Sequence, residues 1–263
     1  MSQQTPDLAR DVAALRAARA AHAALPGLPE LARAPSHDNG YRLLGLFGSA
    51  CGARRVGWKV GAASKPSQAV VGADEPFYGL LLAPDVHPSG SALTRAAFFE
   101  PGMEGEFAFR LGRDLVPTAG VELTVEAVAD AIDAVLPAIE ICDHRFRNWR
   151  DVSLAEIIAD NAFHGALVVG APVTGWRRFD LARHEIALAF DGKVVGQGPG
   201  ALILGHPLNS VLWLARKLAQ HGRHLAAGDL VAAGTCTGLH YASDVTAVGA
   251  SLGPLGDVSF TFT

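Results

Sequence analysis

The sequence predicts an α+β fold built on a mixed β-sheet, and three observations carry that prediction. From Val56 onward, short apolar runs alternate with Gly, Pro and Asp turns. Only two long amphipathic segments interrupt those runs. The regular strand–helix alternation that builds an all-parallel sheet is missing. With 263 residues, 49% of them hydrophobic and 18% charged, the chain can fill the core of one large domain with a small appendage.

Residues 1–55 read as that appendage, a helical cover, and residues 56–263 as the main domain. The first helix starts at Pro6, with Thr5 as its cap, and sets Leu8, Val12, Leu15 and Ala18 at helical spacing; Pro26, Gly27 and Pro29 break it. A second helix over 41–50 turns Leu43, Leu44 and Phe47 inward and ends at Gly52. Strands follow at 56–60, 78–82, 104–111, 167–169, 185–190, 230–233 and 258–263, each a short apolar or alternating run bounded by turn residues. Asp191-Gly192 joins 186–190 to 193–195 as a two-residue hairpin. Thr124 opens a helix over 125–135 that Pro137 stops, and Pro207 opens one over 207–221 with Leu208, Val211, Leu212, Ala215 and Leu218 as its buried stripe.

Bulk properties exclude several functions. A net charge of −4 with only scattered Lys and Arg leaves no footprint for nucleic acid. Cys51, Cys142 and Cys236 form no C-x-x-C pair and read as the reduced thiols of a cytoplasmic protein. No apolar run approaches the roughly 20 residues that span a bilayer, and the first 24 residues, with Asp7 and Asp11, lack the apolar core of a secretory signal. The zinc-protease, nucleophile-elbow and P-loop motifs are absent.

The chemistry concentrates in two stretches. In Pro101-Gly-Met-Glu-Gly-Glu-Phe-Ala-Phe-Arg110, Glu104 and Glu106 project from one face of a strand while Phe107, Phe109 and Leu111 form the other. In Leu136-Pro-Ala-Ile-Glu140, a third carboxylate ends an apolar run, with Asp143 and Arg145 close enough to pair and His144 a possible ligand. Buried together, three carboxylates would repel and call for a cation; a hard, oxygen-seeking ion such as Mg²⁺ or Mn²⁺ suits them. On spacing alone, the same pattern also fits a solvated strand face. Lys59 lies in the glycine-bracketed strand Gly57-Trp-Lys-Val-Gly61 and reads either as a snorkelling surface group or as a buried cation paired with an acid; Gly57, Gly61 and Ser64 tilt it to the second. His164, His206 and His240 read as capping or packing groups more readily than as catalysts.

Taken in order, Gly57-Trp-Lys-Val-Gly61 with Ser64, Gly72-Ala-Asp-Glu-Pro76, Glu104-Gly-Glu-Phe-Ala-Phe, Leu136-Pro-Ala-Ile-Glu140 through Arg145, Ala159-Asp-Asn-Ala162 and Leu204-Gly-His-Pro-Leu-Asn209 resemble the fumarylacetoacetate hydrolase superfamily, in its 2-oxopent-4-enoate hydratase and 4-oxalocrotonate decarboxylase branch. The resemblance implies a mixed barrel or roll, with 56–263 as the catalytic domain. It also implies Mg²⁺ or Mn²⁺ held by Glu104, Glu106 and Glu140, and a small 2-keto acid substrate handled through a metal-stabilised enolate. Lys59 would bind substrate or shuttle a proton, and Ser64, Asp74, Phe77, Tyr78, Phe163 and Thr235 would line the substrate site. The family pattern implies an acid where this chain has Phe77 and a hydroxyl residue where it has Phe163, so Tyr78 or His164 becomes the candidate acid/base group. Hydration is the first expectation. Decarboxylation or tautomerisation is the second; acylpyruvate-type hydrolysis, with His164 or His240 as base, and a non-catalytic partner subunit are the alternatives. The apolar N-terminal helices imply a homo-oligomer.

Overall fold

The computed structural model describes residues 7–118, 120–241 and 243–263. The elements in chain order are α1 (Leu8–Ala21), α2 (Pro29–Ala32), α3 (His37–Cys51), β1 (Arg55–Gly61), α4 (Lys65–Val71), β2 (Phe77–Leu82), β3 (Val86–Pro88), β4 (Ser91–Leu93) and β5 (Gly102–Leu111). They continue with α5 (Val125–Ala131), β6 (Ile132–Cys142), α6 (Leu154–Ala159), β7 (His164–Val169), β8 (Glu185–Phe190) and β9 (Lys193–Pro199). The last are α7 (Pro207–Gln220), β10 (Leu230–Thr235), β11 (His240–Tyr241), β12 (Ala247–Ser251) and β13 (Asp257–Phe262).

Two mixed sheets form the body as a half-barrel, the α+β arrangement expected. The larger runs β2-β1-β10-β5-β6-β7-β3, with β11 added to β5, and the smaller runs β4-β13-β12-β8-β9. Parallel pairs (β1 with β10, β3 with β7, β4 with β13) sit among antiparallel ones. The axis of the large sheet is the long β5–β6 ladder, in which Glu104 lies opposite Glu140. Trp58, Val60, Phe107 and Phe109 pack with Val211, Leu214 and Leu218 of α7 in the main core. Met103, Ile139 and Ile141 pack against the small sheet through Leu188, Val248 and Phe260. The opposite face of the large sheet carries Leu81, Leu136 and Leu167 together with small side chains, of which Ala232 stands beside Lys59 and Ala138 beside Glu106.

The helical cover is tied to the segment between β6 and β7. Leu8, Val12, Leu15, Leu43 and Phe47 share a core with Phe146, Trp149, Ala155 and Ala159. Buried Asp11 accepts N–H bonds from Leu31 (2.7 Å) and Glu30 (3.3 Å), and Glu156 accepts from Leu28 (2.7 Å), so α2 is tied to α1 on one side and to α6 on the other. The expected cap Thr5 and Pro6 lie outside the described residues. Gly52, in the left-handed region at φ 66°, ends α3, and Asp191 and Gly192 make the expected hairpin turn with φ 47° and 80°.

Two readings need correction. The helix expected over 125–135 stops at Ala131: Ile132 to Val135 are already the start of β6, because pairing along β5 outweighs local helix preference where no breaker separates them. In α7 the buried position is Leu214 rather than Leu212, which lies at the margin. No helix among the described residues is long and apolar enough to cross a membrane.

Candidate active site

At one end of the large sheet a cavity of about 920 Å³ opens to solvent. Its floor carries Lys59 from β1, Glu104 from β5 and Cys142 from the end of β6. Lys59 Nζ stands 3.3 Å from Glu140 Oε1, with both side chains buried. On the other side of that oxygen, His164 Nδ1–H donates to it at 2.8 Å, the direction fixed because an ionised carboxylate only accepts. Glu104 Oε2 receives the Cys142 thiol at 3.6 Å. Glu106, two residues along the same face of β5, accepts the Gly234 N–H at 3.0 Å. Ligand atoms of Glu104, Glu140 and Cys142 fall within 4.8 Å of one another, whereas Glu106 is not in that group.

The electrostatics of this floor are those of an undercharged site. Burial, reinforced by Glu140, pushes the Glu104 carboxyl up to about 7. Burial, Glu140 and Glu104 push Glu106 well above the carboxylate range. Burial alone would raise Glu140 too, but Lys59 and His164 outweigh it and hold it below its ordinary value. Burial pulls the Lys59 ammonium down, and Glu140, then Cys142 and the other two acids, more than reverse this, so Lys59 stays charged. Glu106 Oε1 and Glu140 Oε2 are buried with no hydrogen-bond partner among the described residues. Two orphaned carboxylate oxygens among three acids and one ammonium fit a hard divalent cation.

Strained backbone gathers around this cavity. Ala62 (φ 53°), Asn161, Ala162 and Phe163 (φ 56°, 54° and 59°) and Leu204 (φ 47°) all occupy the left-handed region, which costs a non-glycine residue roughly 1–2 kcal/mol each. Around the triple turn, Asn161 exchanges both amide bonds with Leu80 (2.7 and 3.0 Å), and Asp160 is clamped by Arg145 Nε at 2.8 Å. The turn delivers Phe163 to the cavity wall and starts β7 at His164. Strain of this kind collects where side chains must be aimed.

Of the residues expected from sequence, Lys59, Ser64, Phe77, Glu104, Phe163 and Thr235 line the cavity. Ser64 caps α4 in a reciprocal pair with Ser67, and Thr235 Oγ1 accepts the N–H groups of Thr237 and Gly238. Glu106, Glu140 and His164 lie behind the floor, His164 fully buried and reaching it only through Glu140. Asp74 and Tyr78 are elsewhere. Asp74 is exposed, and Tyr78 points from the opposite face of β2 to bond His221 Nδ1 at 2.7 Å and stack on Tyr41. Successive strand residues face opposite ways, so Phe77 in the cavity wall excludes Tyr78 from it. The acid/base role considered for Tyr78 therefore has no geometric basis.

Sequence reading missed Cys142 as a neighbour of the carboxylates, since a lone cysteine carries no spacing signal. It also left His144 as a loose possible ligand. His144 lines the cavity, its Nδ1 accepts the Phe146 N–H at 3.3 Å, and its Nε2–H donates to Glu100 at 3.1 Å. A histidine–carboxylate pair on a cavity wall can hold and move a proton.

Comparison with known proteins places this arrangement. The fumarylacetoacetate (FAA) hydrolase C-terminal family matches residues 53–261. The chain is 40% identical over 183 residues to the TodF product hydratase of Pseudomonas putida, covering 70% of this chain and 67% of that protein. To the 2-hydroxyhexa-2,4-dienoate hydratase of Comamonas testosteroni it is 33% identical over 224 residues, 84% and 83% of the two chains. It superposes with a TM-score of 0.88 on 4-oxalocrotonate decarboxylase from Pseudomonas putida G7, a structure complexed with magnesium and adipate, at 25% identity and 97% coverage of both. By the span matched and by both identities, the chain belongs to the fumarylacetoacetate hydrolase family, in the branch of the 2-keto-4-pentenoate hydratases and 4-oxalocrotonate decarboxylase.

Proposed function

We propose that the protein is a divalent-metal-dependent lyase that hydrates a small unsaturated 2-keto acid, or its 2-hydroxydienoate tautomer, in the breakdown of aromatic compounds. The observation that carries this reading is the group of carboxylates at and behind the floor of the cavity. Glu104 lies on the floor and Glu106 and Glu140 are buried behind it, each of these two with an orphaned oxygen, against a single ammonium among the described residues. Glu104, Glu140 and the free oxygen of Glu106 would hold Mg²⁺ or Mn²⁺. When bound, the ion supplies Lewis-acid polarisation at the 2-oxo group and an anchor for the 1-carboxylate.

The chain's own groups do the rest. Lys59 remains an ammonium and commits one contact to Glu140. Its other N–H groups are available to a bound carboxylate and to a carbon that must gain or lose a proton. His164 fixes the Glu140 carboxylate from behind. The His144–Glu100 pair takes the place of the acid that Phe77 lacks, accepting a proton from attacking water or returning one to the carbon chain. Phe77, Phe163 and Leu204 keep bulk water from the floor, so that water reaches the substrate from the open end.

Decarboxylation of a vinylogous keto acid is the second reading, supported by the match over 97% of the chain to 4-oxalocrotonate decarboxylase. The test is an assay of purified, Mg²⁺- or Mn²⁺-loaded protein on 2-hydroxypenta-2,4-dienoate, 4-oxalocrotonate and an acylpyruvate. Loss of the dienoate absorbance supports hydration, and CO₂ release from 4-oxalocrotonate moves the reading to decarboxylation. No turnover together with no calorimetric metal uptake overturns it.

A further inference from the structure

The floor of the cavity is polar, and beside the His144–Glu100 pair its walls and rim carry a set of large apolar side chains. Phe77 and Phe163 form the walls, and Phe77 is admitted by Gly61, where a Cβ would meet its ring at 2.6 Å. At the rim stand Val70, Leu202, Leu239 and Tyr241, between 39% and 68% exposed. These four are nearly half of the nine large hydrophobic side chains left exposed among the described residues, and they surround one opening. Single exposed apolar residues need no explanation, but four of them lining one cavity do.

Volume points the same way. At about 920 Å³ the cavity falls near the top of the range of roughly 300–1,000 Å³ that holds drug-sized ligands, far more than a five-carbon acid fills. Of the cations lining this space, Lys59 is buried at the floor and paired with Glu140. Lys65, whose Nζ bonds the neutral Gln68 amide at 2.8 Å, and Arg150, whose guanidinium lies over the Trp149 ring at 4.4 Å, are exposed at the surface. Glu100 adds a negative charge to the same wall. Among the described residues lining the cavity, a second carboxylate would find no buried cation besides Lys59, which the head group of the substrate takes, and Lys65 and Arg150 lie only at the solvent-exposed edge.

We infer that the substrate is a 2-keto (2-hydroxydienoic) acid whose distal end is a bulky apolar group, alkyl or aryl, rather than a second carboxylate. Its head sits on the floor and its tail lies between Phe77, Phe163, Leu202 and Leu239. This rests on the function proposed above, and it goes further by choosing between a monocarboxylic apolar substrate and a dicarboxylic one.

The experiment is calorimetric titration of the Mg²⁺-loaded protein with pyruvate, 2-oxobutanoate, 2-oxohexanoate, 2-oxooctanoate and 4-phenyl-2-oxobutanoate, with 2-oxoadipate as the distal acid. Each methylene that leaves water is worth about a factor of four in affinity. 2-Oxooctanoate and the phenyl compound should therefore bind at least ~30-fold tighter than pyruvate, while 2-oxoadipate gains nothing over 2-oxobutanoate. In Leu239→Arg, checked for folding by its melting temperature, 2-oxoadipate should gain and 2-oxooctanoate lose. Pyruvate bound normally with a flat series, or 2-oxoadipate as the tightest ligand, overturns the inference and leaves the proposed function standing. Failure of pyruvate itself to bind overturns both. A flat series in which Leu202→Arg changes the sedimentation coefficient would assign the rim to a second copy of the chain and also overturn it.

Discussion

On one face of β5, Phe107 and Phe109 lie 6.5 Å apart in a stacked pair, and Phe109 meets Trp176 edge-on at 6.5 Å. On the other face of the same strand, Glu106 is just as buried and Glu104 half-buried, and burial with their acidic neighbours disfavours the charge of both. Both faces lose most of their contact with water. The first gains stability by doing so, roughly in proportion to the apolar area buried. The second loses it, because these carboxylates and Glu140 beside them give up hydration for one ammonium, one imidazole N–H, one thiol and a backbone N–H. A binding site tolerates that loss when a ligand restores the missing interactions.

The comparison breaks most sharply at Phe109 and Glu140. Phe109→Ala should cost about 3–5 kcal/mol in denaturant unfolding, the ordinary result of emptying a core position. Glu140→Gln should cost a comparable ~3–5 kcal/mol for a different reason, since it strands Lys59 in the interior without its counter-charge. The two are told apart by a second change. Adding Lys59→Met should recover much of the loss in Glu140→Gln and none in Phe109→Ala. Equal behaviour of the two double variants would refute the contrast.

Glu106→Gln should act in the opposite direction. Glu106 has no cationic partner of its own, and burial together with its two neighbours disfavours its charge. Neutralising it should raise the melting temperature of the metal-free protein, each ~1 kcal/mol being worth roughly 2–4 °C at this size. It should also weaken metal uptake at least tenfold by calorimetry. A lowered melting temperature would mean that the carboxylate is stabilised by something other than an ion.

How much of this was legible in the sequence depends on which signals are local. The i, i+2 placement of Glu104 and Glu106 fixes their shared face wherever a strand forms, and the glycines around Lys59 mark a close approach. The depth of the site was not local. Nothing in the alternation of 104–111 separates a solvated face from a dry one; that depends on the alanines Ala108, Ala134, Ala138 and Ala232 arriving from three strands. The left-handed turn at Asn161–Phe163 was equally hidden, because it is held by Leu80 and Asp160 rather than by glycine. Tyr78 could have been excluded, since it neighbours Phe77 on one strand and the two cannot face the same space.

His164 sharpens the comparison at a smaller scale. It touches Glu140 and not the cavity, so it positions a carboxylate rather than meeting substrate. His164→Ala should reduce metal affinity about 10–100-fold, the usual cost of removing a partner that orients a ligand. His164→Asn, which can keep an N–H near Glu140 Oε1, should recover part of it. If both variants bind metal as the parent does, the orienting role is wrong.

The smallest effect belongs to the apolar side of the molecule. Tyr78 Oη and His221 Nδ1 share a hydrogen bond of 2.7 Å, and burial, with Lys217 next, holds the His221 pKa below its ordinary value. Burial does the same to His206, whose Nδ1 accepts the Leu208 N–H at the start of α7. The unfolded chain therefore takes up protons at a higher pH than the folded one. The stability these two rings contribute is complete above the unfolded value, about 6.5, and is lost as the pH falls from there through their folded values. Because His221 is partly solvated, the change should be modest, about 1–2 °C in melting temperature between pH 7.5 and 5.5. His221→Phe keeps the aromatic packing against Tyr41 and removes the titration, so its melting temperature should fall less over that interval. An unchanged or steeper fall in the variant would assign the pH dependence to the carboxylate floor instead.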